Sequence, residues 1–442
     1  MNPASEATPR NSMSADGNTQ SSKLHPEDID RAEDVQVDND QSKFSAILGI
    51  LRRVIGVTDV ISLRLSLPSQ LLDPIPNLEY WNYMDRPEYF AAIPESDDEV
   101  ERMLAVLAWW FSKLLKHKDR IQKPFNSILG EQFFCRWDLG TAAGSSSERE
   151  STAASSITDV SVGSDSAPAH VEYITEQVSH HPPVSAFVYR CPERGVEAVG
   201  LDHICAKFTG LSATVAPGSE CKGIFVTLKS RNNETYKSIH PTANIVGWLR
   251  GNLKVQLAET SYIMCPQTKL AAIIQFKEER WFGKNNENVT GKVFKYDPET
   301  QGDAIASWRL KDIPKNCALV ATFSGCWDKK VNVLRVDGDK SKQSEPRTLI
   351  DLTDLKMAEK TVKPLEEQGE MESRRVWDPV ATKMIQGKFS EATKLKRGLE
   401  ERQRALAAER KANGQAFSPA LFKPDYSATG KPELLDTAPL NL

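Results

Sequence analysis

The sequence predicts an α+β fold that is mainly β: a large near-closed antiparallel β-barrel with helical segments before and after it. Short apolar runs recur at 184–189, 196–201, 223–228, 253–257, 270–276, 289–296, 304–310 and 319–323, punctuated by Gly, Pro and Asn. That is the pattern of an antiparallel meander. So many strands in series leave exposed edges unless the sheet curls back on itself, and a barrel of this many strands is wide enough to enclose a ligand. Helical periodicity is confined to the two flanks, before residue 118 and after residue 378.

Residues 1–41 carry hardly any large apolar groups. They cannot bury enough surface to offset the entropy of ordering, so a disordered tail is expected; with no apolar h-region, no signal peptide is visible. Phe44, Ile47, Leu48, Leu51 and Ile55 then recur at helical spacing, with Arg52 and Arg53 on the other side. This predicts a short amphipathic helix ending near Gly56. By pattern alone it is a helix packed on the core. An extended apolar connector follows from Leu67-Pro68 to Tyr83. The stretch 97–118 predicts one or two helices with Leu104, Leu107, Ala108, Phe111 and Leu115 on one stripe, read as a buried structural element. Its apolar run, 103–115, is interrupted by Ser112 and Lys113 and falls short of the roughly 20 residues that a bilayer requires.

Phe133 to Trp137 reads as a strand, and 142–169 as a Ser-rich loop inserted between strands. Residues 337–373 are highly charged. The helical region 378–412 is rich in Lys, Glu, Arg and Ala, with Asn413-Gly414 as its stop. Phe417, Leu421 and Phe422 are placed to pin the tail back onto the domain, which spans 42–430.

The 442-residue chain has a net charge of −4, so no global basic field recruits nucleic acid or an anionic bilayer. Any membrane encounter must use a local patch. Seven cysteines (135, 191, 205, 221, 265, 317, 326) are scattered without a CxxC pair, the signature of a reduced cytosolic chain.

The densest chemistry lies at Glu176-Gln177-Val178-Ser179-His180-His181-Pro182-Pro183, with two of the seven histidines side by side. Adjacent strand residues point to opposite faces, so both rings serve one site only if the backbone turns, and Pro-Pro forces such a departure. The arrangement suits an anion. Zinc requires at least three protein ligands, and no third His or Cys sits at a helpful spacing, so no metal is expected. No GxSxG, HExxH or GxxxxGK[ST] motif occurs, and Glu176 reads as a brace for the strand. In Lys123-Pro124-Phe125-Asn126-Ser127-Ile128-Leu129-Gly130-Glu131, the Lys-Pro step imposes an extended lead and Gly130 permits a tight turn, so that Lys123 and Asn126 project together. Lys396, Glu400 and Arg404 lie at i, i+4 and i+8 on one helix face. Such triplets are usually solvated ion-pair faces.

Together these motifs, with the Leu67-Pro68 to Leu78-Glu79 segment, resemble the oxysterol-binding-protein-related lipid-transfer family, in its short form without a pleckstrin-homology domain. The resemblance runs from about Phe44 to Phe422. It implies a barrel with a lipid tunnel and a lid at about 44–66, whose Phe44, Ile47, Leu48, Leu51, Leu65 and Leu67 contact acyl chains or sterol. It also implies that Lys123, Asn126, His180, His181, Lys396, Glu400 and Arg404 hold the headgroup of phosphatidylinositol 4-phosphate. That lipid is exchanged for a second one, a sterol or phosphatidylserine, by a cytoplasmic monomer that is peripheral at membranes and can work at endoplasmic reticulum contact sites. No cofactor and no catalysis are implied. The rival readings are a sensor or tether that transfers nothing, and a lipid hydrolase or phosphatase using the histidine pair. Ser127 departs from the proline usual at its position in the family.

Overall fold

The structure, a computed structural model, describes Ser69 and residues 72–117, 123–140, 168–208, 213–246, 254–277, 287–302, 304–336, 345–426 and 428–438. The expected tail, the lid with Phe44, Ile47, Leu48, Leu51, Leu65 and Leu67, and nearly all of the Ser-rich insertion lie outside these residues.

One antiparallel sheet of fifteen strands dominates. Its main path runs β1 (Gln132–Leu139), β2 (Ala169–His180), β3 (Pro183–Cys191), β4 (Val196–Phe208), β6 (Ile224–Leu228), β7 (Glu234–Ser238), β10 (Thr260–Cys265), β11 (Leu270–Phe276), β12 (Val289–Lys295), β13 (Leu319–Gly325), β14 (Lys330–Arg335) and β15 (Arg347–Asp351). The far half of β4 instead pairs with β5 (Ala213–Pro217), which leads to β8 (Thr242–Val246) and β9 (Lys254–Ala258). The sheet does not close strand to strand. The chain after β15 returns along the free edge of β1: Arg136 and Thr361 exchange both backbone hydrogen bonds, at 3.0 and 2.8 Å, and Gln132 N donates to Met371 O at 2.8 Å. A connecting segment thus covers a seam that would otherwise present unpaired amides.

Helix α3 (Glu99–Ser112) follows the short helices α1 (Asn77–Tyr80) and α2 (Pro87–Ala91). Asp98 caps it, accepting from Val100 N and Glu101 N. Leu104, Leu107, Trp109, Trp110 and Phe111 are fully buried, and they join the inward residues of the barrel, Tyr173, Phe187, Tyr236, Ile263, Ile274 and Val333, in one core. A helix apolar on nearly every side needs a cavity around it, and the barrel supplies one. The bidentate pair of Arg102 with Glu234, at 2.9 and 2.6 Å, locks the helix to β7.

The run 304–310, expected as a strand, is a 3-10 turn at Ala304–Ser307 after helix α4 (Pro298–Gln301). Ile305 and Trp308 lie over the outer face of β11 and β12, with Trp308 stacked on Phe294 at 6.2 Å. Its apolar residues cover the sheet rather than extend it. The late helical region is two helices, α5 (Ser373–Ile385) and α6 (Phe389–Ala412), divided at Gly387, whose φ is +73°. Strands such as β7, Glu-Thr-Tyr-Lys-Ser, escape the sequence pattern because the inward residues Glu234 and Ser238 are polar.

Leu421 and Phe422 pack on Phe134, Ile174, Val184, Val188 and Leu201, the outer face of β1–β4. Glu176, fully buried, holds them there by accepting from Ala420 N and Leu421 N, each at 2.8 Å. Hydrogen bonds to a charged group contribute about 1.5–3 kcal/mol. Glu176→Ala should therefore cost on the order of 2–4 kcal/mol in a denaturant titration and release the tail, read as faster chymotryptic cleavage after Phe422 with an unchanged β signature in circular dichroism.

Candidate functional site

The site begins at the tip of the β2–β3 hairpin. His180 pairs with Pro183, and a register shift between Gln177 and Ser179 marks a bulge just before the tip; the His181-Pro182 peptide is cis. Bulges re-aim side chains. Ser179 Oγ donates to Pro182 O at 2.7 Å, and Gln177 Nε2 to Ser179 O at 2.7 Å. The two imidazoles meet edge to face, centroids 4.6 Å apart. The turn required for adjacent histidines to share one side of the structure is present.

The Lys123 to Glu131 loop is bolted down at several points. Asp73 N donates to Lys123 O at 2.9 Å and Phe125 N to Ile75 O at 3.1 Å, while the Phe125 ring stacks on Trp377 of α5 at 4.6 Å and 15°. At its end Gly130, with φ +81°, donates to Gln177 O, and Gln177 N donates to Glu131 O. Glu131 itself is fully buried. It accepts from Ile128 N at 2.9 Å, Ser373 Oγ at 2.7 Å and Trp377 Nε1 at 3.1 Å. On the outer side Lys123 Nζ donates to Asn126 Oδ1 at 2.7 Å.

Helix α6 supplies the third wall. Lys396 is 4% exposed and pairs with Glu400 at 2.9 Å, while Lys394, on another face, is exposed. Fully buried Ser69, at the end of the connector from the amino-terminal side, donates to Phe389 O at 2.9 Å and shares a 2.8 Å hydrogen bond with Thr393 Oγ1.

Electrostatic coupling shows that these pieces converge. Lys123 reaches solvent at its outer edge, yet the surrounding protein, and secondly the charge of Lys396, push its ammonium down to about 8. His180 is likewise exposed at the tip while protein crowds its inner side. Desolvation lowers its pKa first; the charges of His181 and, more weakly, Arg404 push the same way, and Glu400 and a hydrogen bond with the Ser127 backbone oppose them. The hairpin tip brings His180 to Glu400 and Arg404; the loop brings Lys123 to Lys396. All seven residues singled out in the sequence thus lie on three elements that meet. Sequence reasoning missed the bracing residues Glu131, Ser373 and Trp377 and the Ser69–Thr393 contact; the one available signal was Trp377, an isolated aromatic in a polar stretch. Among the described residues, no group of three or more His, Cys, Asp or Glu is placed to hold a metal ion, and no helix is long and apolar enough to cross a membrane.

With the geometry in view, residues 46–435 match the profile of the family described as oxysterol-binding protein. The chain belongs to that family, whose members bind and transfer lipids and are not enzymes. It is 36% identical to oxysterol-binding protein-like protein 1 of Schizosaccharomyces pombe over 474 aligned positions, covering 90% of each chain. Among solved structures it resembles the Osh1 ORD domain in complex with ergosterol, with 21% identity, a TM-score of 0.63, and 88% of this chain and 86% of that one covered. The Osh3 ORD in complex with PI(4)P from Saccharomyces cerevisiae gives 18% identity, a TM-score of 0.58, and 89% and 91% coverage. These likenesses establish a common fold.

Burial pushes the Glu131 carboxyl up to about 7, against the three donors that favour its charged form. A carboxyl raised from its ordinary value of 4.5 binds more protons folded than unfolded between those two values, so its contribution to stability falls as pH rises from about 4.5 to about 7. The full span is on the order of 3 kcal/mol. Melts at pH 5 and pH 8 should differ less in Glu131→Gln than in the wild type.

Proposed function

We propose that the chain is a lipid exchanger whose mouth grips phosphatidylinositol 4-phosphate through Lys123, Asn126, His180, His181, Lys396, Glu400 and Arg404. One observation carries this reading: five basic side chains from three segments converge with Glu400 paired to Lys396 among them, and behind the desolvation that leads both shifts, Lys396 lowers Lys123 while His181 and, more weakly, Arg404 lower His180. Cations gathered this way cost free energy until an anion neutralises them. A phosphomonoester carries about −1.5 to −2 charge and three acceptor oxygens, which matches the donor set. The PI(4)P and ergosterol complexes of structurally similar domains support the two ligand classes.

The phosphoinositide is exchanged for a second lipid, a sterol or phosphatidylserine, between membranes, with the 44–66 segment as lid. The protein works as a cytoplasmic monomer, peripheral at membranes that include endoplasmic reticulum contact sites. A sensor or tether would bind lipid without moving it, and transfer between two liposome populations separates these readings. A hydrolase would release inorganic phosphate.

In this arrangement Lys123 and Lys396 hold one end of the headgroup while His180, His181 and Arg404 take the other. Lys396→Ala should weaken phosphoinositide extraction more than tenfold, since charge-assisted contacts contribute about 1.5–3 kcal/mol each. Lys394→Ala should change it little, and His180→Ala with His181→Ala should spare the second lipid. Equal loss in Lys394→Ala and Lys396→Ala would reduce the helix to a diffuse basic surface.

The site also predicts a pH profile. Lys123, at about 8 when free, binds the phosphate as its ammonium, so affinity is full below that value and falls as pH rises through it. Titrations at pH 7 and pH 9 should show this loss in the wild type and a smaller one in Lys123→Arg, whose guanidinium stays charged.

A further inference from the structure

The corner between α5 and α6 is built in an unusual way. Lys388 N donates to Lys383 O and Gly387 N to Met384 O, both at 2.9 Å, with Gly387 left-handed between them. This is a Schellman motif, a rigid helix stop in which the residues at the Lys383 and Lys388 positions commonly make an apolar contact. Here both are lysines, Lys388 exposed and Lys383 paired with Glu391 at 2.6 Å. The apolar residue sits between them and faces outward: Ile385 is 75% exposed, the highest value among the exposed large hydrophobics of the described residues. A Cβ added at Gly387 would meet nothing within 4 Å, so the corner stands clear of the protein.

Two further observations say what covers it. Residues 383–404 hold seven cations (Lys383, Lys388, Lys394, Lys396, Arg397, Arg402, Arg404) and three carboxylates (Glu391, Glu400, Glu401), a local +4 in a chain of net −4. The corner also adjoins the mouth: Ser69 is bonded to Phe389, and Lys388 lies eight helical residues, about 12 Å, from Lys396.

We propose that this corner is a bilayer-docking tip: Ile385 enters the acyl region of an anionic membrane while Lys383 and Lys388 lie among its phosphates, turning the mouth toward the lipid. The inference rests on the exchanger reading above, and supplies the local patch that a net acidic chain needs. Lysines flanking a buried aliphatic group keep their ammoniums in the headgroup layer, and anionic lipid attracts each.

The test is flotation of the full chain with vesicles of phosphatidylcholine alone or with three-tenths phosphatidylserine, at low and high salt. The wild type should partition onto the anionic vesicles and less so at high salt. Ile385→Asp, at a position too exposed to unfold the helix, should lower partition about tenfold or more. Ile385→Trp should retain it, with an emission component absent from the wild type, whose nine tryptophans serve as the baseline, that shifts blue and is quenched by brominated acyl chains. Binding of a water-soluble short-chain phosphatidylinositol 4-phosphate should be the same in wild type and Ile385→Asp; loss of that binding in wild type would defeat the headgroup reading and leave the tip standing. Wild-type flotation by Ile385→Asp, or a self-association that this variant abolishes while flotation persists, would overturn the proposal.

Discussion

A buried carboxylate, that of Glu131, sits where three stretches of chain distant in sequence meet, and the site exists because it holds them. Its oxygens accept from the loop that carries Lys123 and Asn126 and from Ser373 and Trp377 at the start of α5. The backbone of the same residue is bonded to β2, which ends in the histidine pair. α5 in turn packs against α6, which carries Lys396, Glu400 and Arg404. The desolvation of one carboxyl is only partly offset by three donors, which would themselves be left unsatisfied in the interior without it.

That brace explains how mutually repelling cations stay together. Burial first, and then the charge of Lys396, disfavours the charged form of Lys123, and burial followed by His181 and, more weakly, Arg404 disfavours that of His180. Such pairings persist where the surrounding structure over-determines them, and they are a frequent mark of functional sites. Glu176 plays the parallel part on the outer face, where it ties the carboxy-terminal tail to β2. Both buried glutamates face backbone or structural side chains, so neither is free to act as a catalytic acid.

The barrel owes its closure to a segment that is not a strand. β1 and β15 remain the ends of the path, and residues between β15 and α5 run along β1 in isolated bridges. The same segment therefore covers the seam and delivers α5 to Glu131. The apolar α3 fills the core of the barrel, leaving polar chemistry to the rim, where hairpin, loop and α6 converge.

Much of this was legible in the sequence because it depends on local rules. Turn residues between apolar runs announced the meander, Pro182 and Pro183 announced that His180 and His181 would leave the ladder, and Gly414 announced the end of α6. The seven candidate residues were singled out because their motifs resemble those of the family, the spacing of Lys396, Glu400 and Arg404 alone reading as a solvated ion-pair face. Strands with a polar inward face, such as β7, stayed hidden, since Glu234 is buried only because Arg102 of α3 meets it. The run 304–310 misled because apolar residues covering a sheet from outside look like those within one. What tertiary structure alone decided is which charges face each other, the bracing of the site by Glu131 and Trp377, and the exposure of Ile385. Each of these is a contact between segments far apart in the chain, or the absence of one, and periodicity carries no information about such distances.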